Sequence, residues 1–155
     1  MSFAVFLSSY SEYLTLQKAD DHAKKVSSYL DALIAVLKGD GQLSSVQLST
    51  QEVVQLRATV TLQLLKAVQN KDIERLFSVR HYQTLAVCMQ DAVYEVREIF
   101  VNKLIKKLSH FAMHARYLTI LFLVAFEPED ELLNKVKGFI IKLAARLRQR
   151  TSSLF

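Results

Sequence analysis

Residues that break a chain are scarce in this sequence: three glycines (Gly39, Gly41, Gly138) and a single proline, Pro128, punctuate 155 residues. All-β and α/β domains need turn residues more often than that, whereas Leu, Ala, Lys, Gln and Glu, all good helix formers, are abundant here. Cysteine is almost missing. The one thiol, Cys88, excludes an intrachain disulfide and suits a reducing compartment such as cytosol or nucleus. Long apolar runs are missing too. The longest, Tyr117 to Phe126, has about ten residues where a helix needs about twenty to cross a bilayer, so no membrane partner is expected. The start, MSFAVFLSSYSEYL, has no basic leader, and Ser8, Ser9, Ser11 and Glu12 interrupt its apolar positions, so no secretory signal is read there. The sequence also lacks a Gly-rich phosphate loop, a GxSxG elbow and a carboxylate pair in an acid–base setting. Neither enzymatic activity nor a cofactor is expected.

What is present is apolar periodicity. A hydrophobic content of 51% is enough for one sizeable core. The stretch Asp91 to Leu108, DAVYEVREIFVNKLIKKL, reads as an amphipathic helix: Val93, Val96, Phe100, Leu104 and Leu108 form one stripe, and Asp91 stands where a cap would. Sliding the chain by forty residues lays Val53, Leu56, Arg57, Val60 and Leu64 onto Val93, Val96, Arg97, Phe100 and Leu104. A second slide of forty reaches Leu133, Val136, Lys137, Ile140 and Ala144. Periods of about 40 to 47 residues mark helical HEAT and armadillo arrays, whose units bury their apolar faces against each other. The expected fold is all-α: an α-solenoid of antiparallel helix pairs, with HEAT-like repeats of period about 40. Residues 1–155 read as one HEAT-repeat segment. A terminal unit needs a polar outer face, yet the first helix offers Phe3, Phe6, Tyr10 and Tyr13 and the last Phe139, Ile140, Ile141 and Leu143, so the segment is expected to be a portion of a longer array.

Helices are expected over residues 2–17 and 21–38, the second stopped by Gly39-Asp40-Gly41. Residues 42–48 read as a polar loop. Ser49 with Glu52 makes a capping-box pattern that opens a helix to about Gln69. Asp72 to Phe77 reads as a short helical turn, and Ser78 can cap a helix that ends at Gln90-Asp91. Residues 109–115 are a connection and Arg116 to Phe126 the most apolar helix. Pro128 stands at the first position of a last helix, which runs from about Glu129 to about Arg148.

His110 and His114 stand four apart, a zinc-like spacing on a helix, but no further ligand has metal-like spacing and they read as surface or interhelical histidines. Cys88, among apolar neighbours, reads as an inert thiol. Charge is the better lead. Residues 97–155 hold eleven Lys/Arg against five Asp/Glu, and residues 1–96 nine against ten, so the whole net charge of +5 resides in the second half. Lys103, Lys106 and Lys107 in the Asp91–Leu108 stretch, with Lys142 and Arg146 in the last helix, are the candidate partner-binding residues. They suit an acidic or extended peptide, a polyphosphate or the backbone of a nucleic acid; no aromatics are interleaved to stack on bases. Arg57, Arg97 and Lys137 occupy one position of the repeat, six residues after Gln51, Asp91 and Glu131. With Asp91 they are read as a structural ladder, each cation reaching a polar group at a neighbouring turn.

The segments LRATVTLQLL (56–65), HYQTLAVCMQDAVYEVREIFVNKLIKKLS (81–109) and RYLTILFLVAFEPE (from Arg116), with ALIAVLKGDGQL before them, resemble the HEAT-repeat middle region of the cohesin regulators of the precocious dissociation of sisters (protein five) family. Tyr82, Gln83, Asp91, Val96, Arg97, Phe100, Lys103, Leu104, Lys106 and Leu108 carry the match, which covers most of residues 25–148. Members usually have proline where this chain has HFAMHAR, and they are far longer. The resemblance implies a nuclear, chromatin-associated, non-enzymatic scaffold for sister chromatid cohesion that binds the kleisin subunit of cohesin and works with other cohesin regulators. The Asp-x4-Val-Arg core is common to many HEAT repeats, so a transport or signalling adaptor of the same architecture is the alternative.

Overall fold

The computed structural model describes residue 9, residues 19–39 and residues 48–152. The expected first helix (2–17), apart from residue 9, and the loop before Leu48 lie outside the described residues. Within them the chain runs α1 (Ala19–Lys38), α2 (Thr50–Ala67), α3 (Lys71–Arg75), α4 (Val79–Val87) with a 3-10 turn at Cys88–Gln90, α5 (Tyr94–Ser109), a 3-10 helix (Ala115–Phe126) and α6 (Asp130–Ser152). Every element among the described residues is helical. α1 packs on α2 and α4, α5 on α2 and α6, and the long 3-10 helix on α5 and α6. This gives three stacked units: α1 with α2, α4 with α5 through the 3-10 turn at Cys88–Gln90, and the 3-10 helix with α6. The shared core holds Val60, Leu64, Leu65, Phe100, Leu104, Tyr117 and Leu121, all fully buried.

Local chemistry fixes several helix starts. Ser49 Oγ accepts from Glu52 N (3.4 Å) while Ser49 N donates to the Glu52 carboxylate (2.9 Å), so two orphan donors are satisfied reciprocally. The Ser49 hydroxyl, then its backbone N–H, holds that carboxyl below the usual range. Asn70 caps the short α3. Ser78 Oγ accepts from His81 N (3.2 Å), and His81 Nδ1 accepts from Ser78 N (3.3 Å), so an imidazole takes the place that Glu or Gln usually fills.

Three expectations are corrected. Asp91 does not cap α5, which starts at Tyr94 after Val93 and has no side-chain cap. Instead the buried Asp91 accepts from Val93 N (2.9 Å) and stays in the turn, because its carboxylate is committed to Arg57. Pro128 is not the first residue of α6 but precedes it by two positions: Leu133 N donates to Glu129 O as the first helical bond, and Glu127, directly before the proline, is extended (φ −76°, ψ 121°). The apolar helix before it is 3-10 rather than α. Its burial has a period of three: Tyr117, Ile120 and Leu123 form one buried or half-buried row, Leu118, Leu121 and Val124 a second, while Arg116, Thr119, Phe122 and Ala125 are all exposed. Side chains three apart eclipse in 3-10 winding, so two core-facing rows favour it. At roughly 2.0 Å per residue its twelve residues extend about 24 Å, the same as the sixteen of α5 at 1.5 Å.

The connection HFAMHAR closes α5 in a Schellman arrangement. Ala112 N donates to Lys107 O (3.0 Å) and Phe111 N to Leu108 O (3.1 Å), which puts Phe111 in the left-handed region at φ 53°. Glycine is the usual residue there, since a Cβ makes that conformation costly.

Candidate functional site

Two of the repeat-position cations bridge neighbouring units. Arg57, on α2, meets Asp91 of the next unit at 2.6 Å, the carboxylate being 3% exposed. Arg97, in the first turn of α5, makes a two-pronged pair with Glu127 of the third unit, Nε and Nη2 each 2.9 Å from a carboxylate oxygen, and donates from Nη1 to the Asp91 carbonyl at 2.7 Å. The guanidinium also lies 5.6 Å from the Tyr94 ring centroid. Its hydrogen bond to Glu127 outweighs burial and raises its proton affinity further. Such fork-to-carboxylate geometry is stronger and more directional than a neutral bond. Each acid follows a twelve-residue first helix of its unit, Val79–Gln90 or Ala115–Phe126, that ends in 3-10 winding. Lys137, at the same repeat position, is exposed on α6.

The forty-residue spacing does not lead to Glu127. A shift of forty from Asp91 points to Glu131, which is exposed; the acid that enters the core stands four residues earlier, in the acidic-proline turn. His81 and Arg116 were missed as well. His81, 5% exposed, has Nε2 3.0 Å from Asp31 Oδ1 and ties α4 to α1. Arg116 pairs with Glu74 (2.7 Å), donates to the Tyr117 hydroxyl (3.1 Å) and lies over the rings of Tyr82 and Tyr117 at 5.7 and 5.1 Å. The Tyr82 hydroxyl in turn meets Thr119 Oγ1 at 2.6 Å. A capping serine three residues ahead was the signal for His81; Arg116 had none, because its partners come from three separate segments.

The candidate partner-binding cations fall at one end of α5 and on α6. Lys106 is exposed and Lys103 and Lys107 half-buried. Burial first, then the charges of Lys103 and Lys106, lowers the Lys107 ammonium from its ordinary range, so the three lysines share one field. Arg146 of α6 lies 5.6 Å from the centroid of Phe111, two residues past the end of α5, and Lys142 is exposed one turn away from it. The structure therefore brings Arg146 beside the C-terminal end of the helix that carries the lysines. Elsewhere, a groove of about 780 Å³ adjoins the Arg57–Asp91 pair and adds Lys38, Arg80 and Gln83 to its walls.

Of the remaining candidates, the two histidines bond to nearby backbone and the thiol is buried. His110 Nδ1 lies 2.7 Å from Lys106 O beyond the end of α5, and His114 accepts from Arg116 N (3.1 Å) at the start of the 3-10 helix, so the two rings do not share a helix face. Among the described residues no group of three or more His, Cys, Asp or Glu side chains could hold a metal ion. Burial pushes the Cys88 thiol up to about 11, against a weaker opposing hydrogen bond from Thr61. No helix among the described residues is long and apolar enough to cross a membrane.

Residues 9–155 match the family model of the sister chromatid cohesion protein PDS5. The chain is 28% identical over 124 residues to sister chromatid cohesion protein PDS5 homolog B of Gallus gallus, covering 79% of this chain and 9% of that protein. The corresponding human protein is 27% identical over the same length and shares. Homolog A-B of Xenopus laevis is 27% identical over 113 residues, 72% of this chain and 8% of that protein. The chain thus spans about a tenth of the length of these relatives.

Proposed function

Because this chain belongs to the PDS5 family of sister chromatid cohesion proteins, we propose that it is one stretch of a non-enzymatic HEAT-repeat scaffold that regulates cohesion at chromatin in the nucleus. In this reading it holds the kleisin subunit of cohesin, as an extended segment, in concert with other cohesin regulators. The observation that carries the reading is the shared field of Lys103, Lys106 and Lys107 at the α5 end, with Arg146 and Phe111 beside it. An extended acidic peptide can meet several of these cations at once, and complementary charge of this kind speeds encounter and sets register more than it adds affinity. Arg57, Asp91, Arg97 and Lys137 belong, in the same reading, to the stack rather than to the partner site. Ion pairs buried between units hold the lysine-bearing helix in place.

The test is a titration of the chain with kleisin-derived peptides, comparing wild type with Lys106→Glu plus Lys107→Glu. Binding weakened by about tenfold or more, and lost in wild type as salt rises, is the expected result. Equal affinity in both proteins removes the basic helix end from the partner site.

A further inference from the structure

We infer that the groove between α1 and α4 is a separate partner site, which takes an extended acidic segment with carboxylates three or four residues apart and an aliphatic side chain beside one of them. It lies toward the start of α5, at the far end from the lysines of the proposed function, and does not rest on that reading.

Two helices running side by side build the groove. His81 Nε2 stands 3.0 Å from Asp31 Oδ1; six and seven residues further on, Leu37 and Lys38 share a wall with Val87 and Cys88. α1 and α4 therefore point the same way, and Lys38 is level with the end of α4. On α4, Arg80, Gln83, Thr84 and Val87 fall at i, i+3, i+4 and i+7, which is one stripe of a helix, and all four line the space. This is not the core stripe, which holds the buried His81 and Leu85. Arg80 and Gln83 are exposed, and Val87 is 58% exposed. The volume of about 780 Å³ is that of a binding cleft.

Charge and spacing name the occupant. Lys38, Arg57 and Arg80 line the groove with one acid, Asp91, an excess of two positive charges. Asp91 is paired with Arg57, and Asp31, near the Arg80 end, faces His81. The exposed cations Arg80 and Lys38 thus mark two ends, separated by roughly 10–12 Å at 1.5 Å for each of the seven or eight intervening positions. An extended chain covers that distance in three or four residues at about 3.3 Å each. A compact anion reaches only one end, whereas a chain with two carboxylates reaches both. Val87, Leu37 and Ala92 make an apolar floor at the Lys38 end, which suits one aliphatic side chain next to the second acid. Between the ends, the Gln83 amide offers both a donor and an acceptor to an extended backbone.

The test uses the whole 155-residue chain and the fluorescein-labelled peptide SDQTVEG, read by fluorescence anisotropy. Wild type should bind it, more weakly as salt rises. The amide version SNQTVQG should bind about tenfold more weakly or worse, and Lys38→Glu plus Arg80→Glu should weaken the acidic peptide as much. That double variant should in turn bind the charge-reversed SKQTVKG, which a misfolded chain would not do. Val87→Ser should cost several-fold in affinity. Lys106→Glu plus Lys107→Glu should bind SDQTVEG as wild type does, so the groove is tested apart from the basic helix end. No binding by wild type, equal binding of the acidic and amide peptides, or unchanged affinity in Lys38→Glu plus Arg80→Glu would each overturn the inference. So would binding lost in the α5 lysine variant. Binding that appears only when residues 40–47 are replaced by glycine and serine would give the groove to the chain's own segment and overturn it as well.

Discussion

Removing Arg97 should cost more stability than any other single change on the surface between units. The side chain is 9% exposed and its partner Glu127 1%, so neither charge has water to fall back on. Breaking one member of a buried pair typically costs about 3–5 kcal/mol, because the other is left buried and uncompensated. For a chain of this size each kcal/mol is about 2–4 °C, so Arg97→Met should lower the melting temperature by roughly 6–20 °C. Glu127→Leu should do the same from the other side. The double variant should cost far less than the sum. What remains are the Asp91 carbonyl, which loses the 2.7 Å bond from Nη1, and Glu129 N, which loses its 3.1 Å bond to the Glu127 carboxylate, each worth about 1–3 kcal/mol if it stays unmet. A double-mutant cycle by urea denaturation followed by circular dichroism reads these numbers. Singles and double additive within about 0.5 kcal/mol would show that the pair is not coupled and refute the reasoning. Peptide binding should survive in Arg97→Met wherever the chain remains folded; lost binding at unchanged stability would move Arg97 into the partner site.

Cys88 sets a pH dependence. Folding raises its thiol from 9.0 to about 11, so the unfolded chain loses the proton first and stability falls as pH climbs from about 9 to about 11, by up to roughly 3 kcal/mol. Cys88→Ala should flatten urea midpoints over that window relative to wild type, and an identical slope in both would exclude the thiol as the cause. Phe111 offers a backbone test: Phe111→Gly should be more stable than Phe111→Ala by about 1 kcal/mol, since both lose the ring under Arg146 and only glycine relieves the left-handed φ of 53°. Equal midpoints for the two variants would mean that the turn has rearranged.

Periodicity carried most of the fold. Val96, Phe100, Leu104 and Leu108 are buried on one stripe of α5, and the Ser49–Glu52 box opens α2, because such patterns depend only on residues within a turn or two of each other. The family was legible from the order of its segments, LRATVTLQLL (56–65), then residues 81–109, then RYLTILFLVAFEPE, since the Asp-x4-Val-Arg core alone is common to many HEAT repeats. Features that depend on distant partners were not. Asp91 has the chemistry of a cap, but Arg57, thirty-four residues earlier in sequence, claims its carboxylate. The 3-10 winding of residues 115–126 was hidden because a row of seven apolar residues, Ile120 to Phe126, has no visible phase; burial alone revealed a period of three. The outer lysines were visible as charge, and their nearness to Arg146 only through the fold.

The winding of that helix gives the third unit a freedom that the others lack. Adding or deleting one residue in an α-helix turns everything after it by about 100°, and the apolar stripe returns only after seven or eleven residues. Here three residues complete a turn, so the segment can gain or lose length in steps of about 6 Å with Tyr117, Ile120, Leu121 and Val124 still aimed at the core. The reach of that segment along its own axis then becomes a matter of counting in threes, each step keeping both core-facing rows in phase.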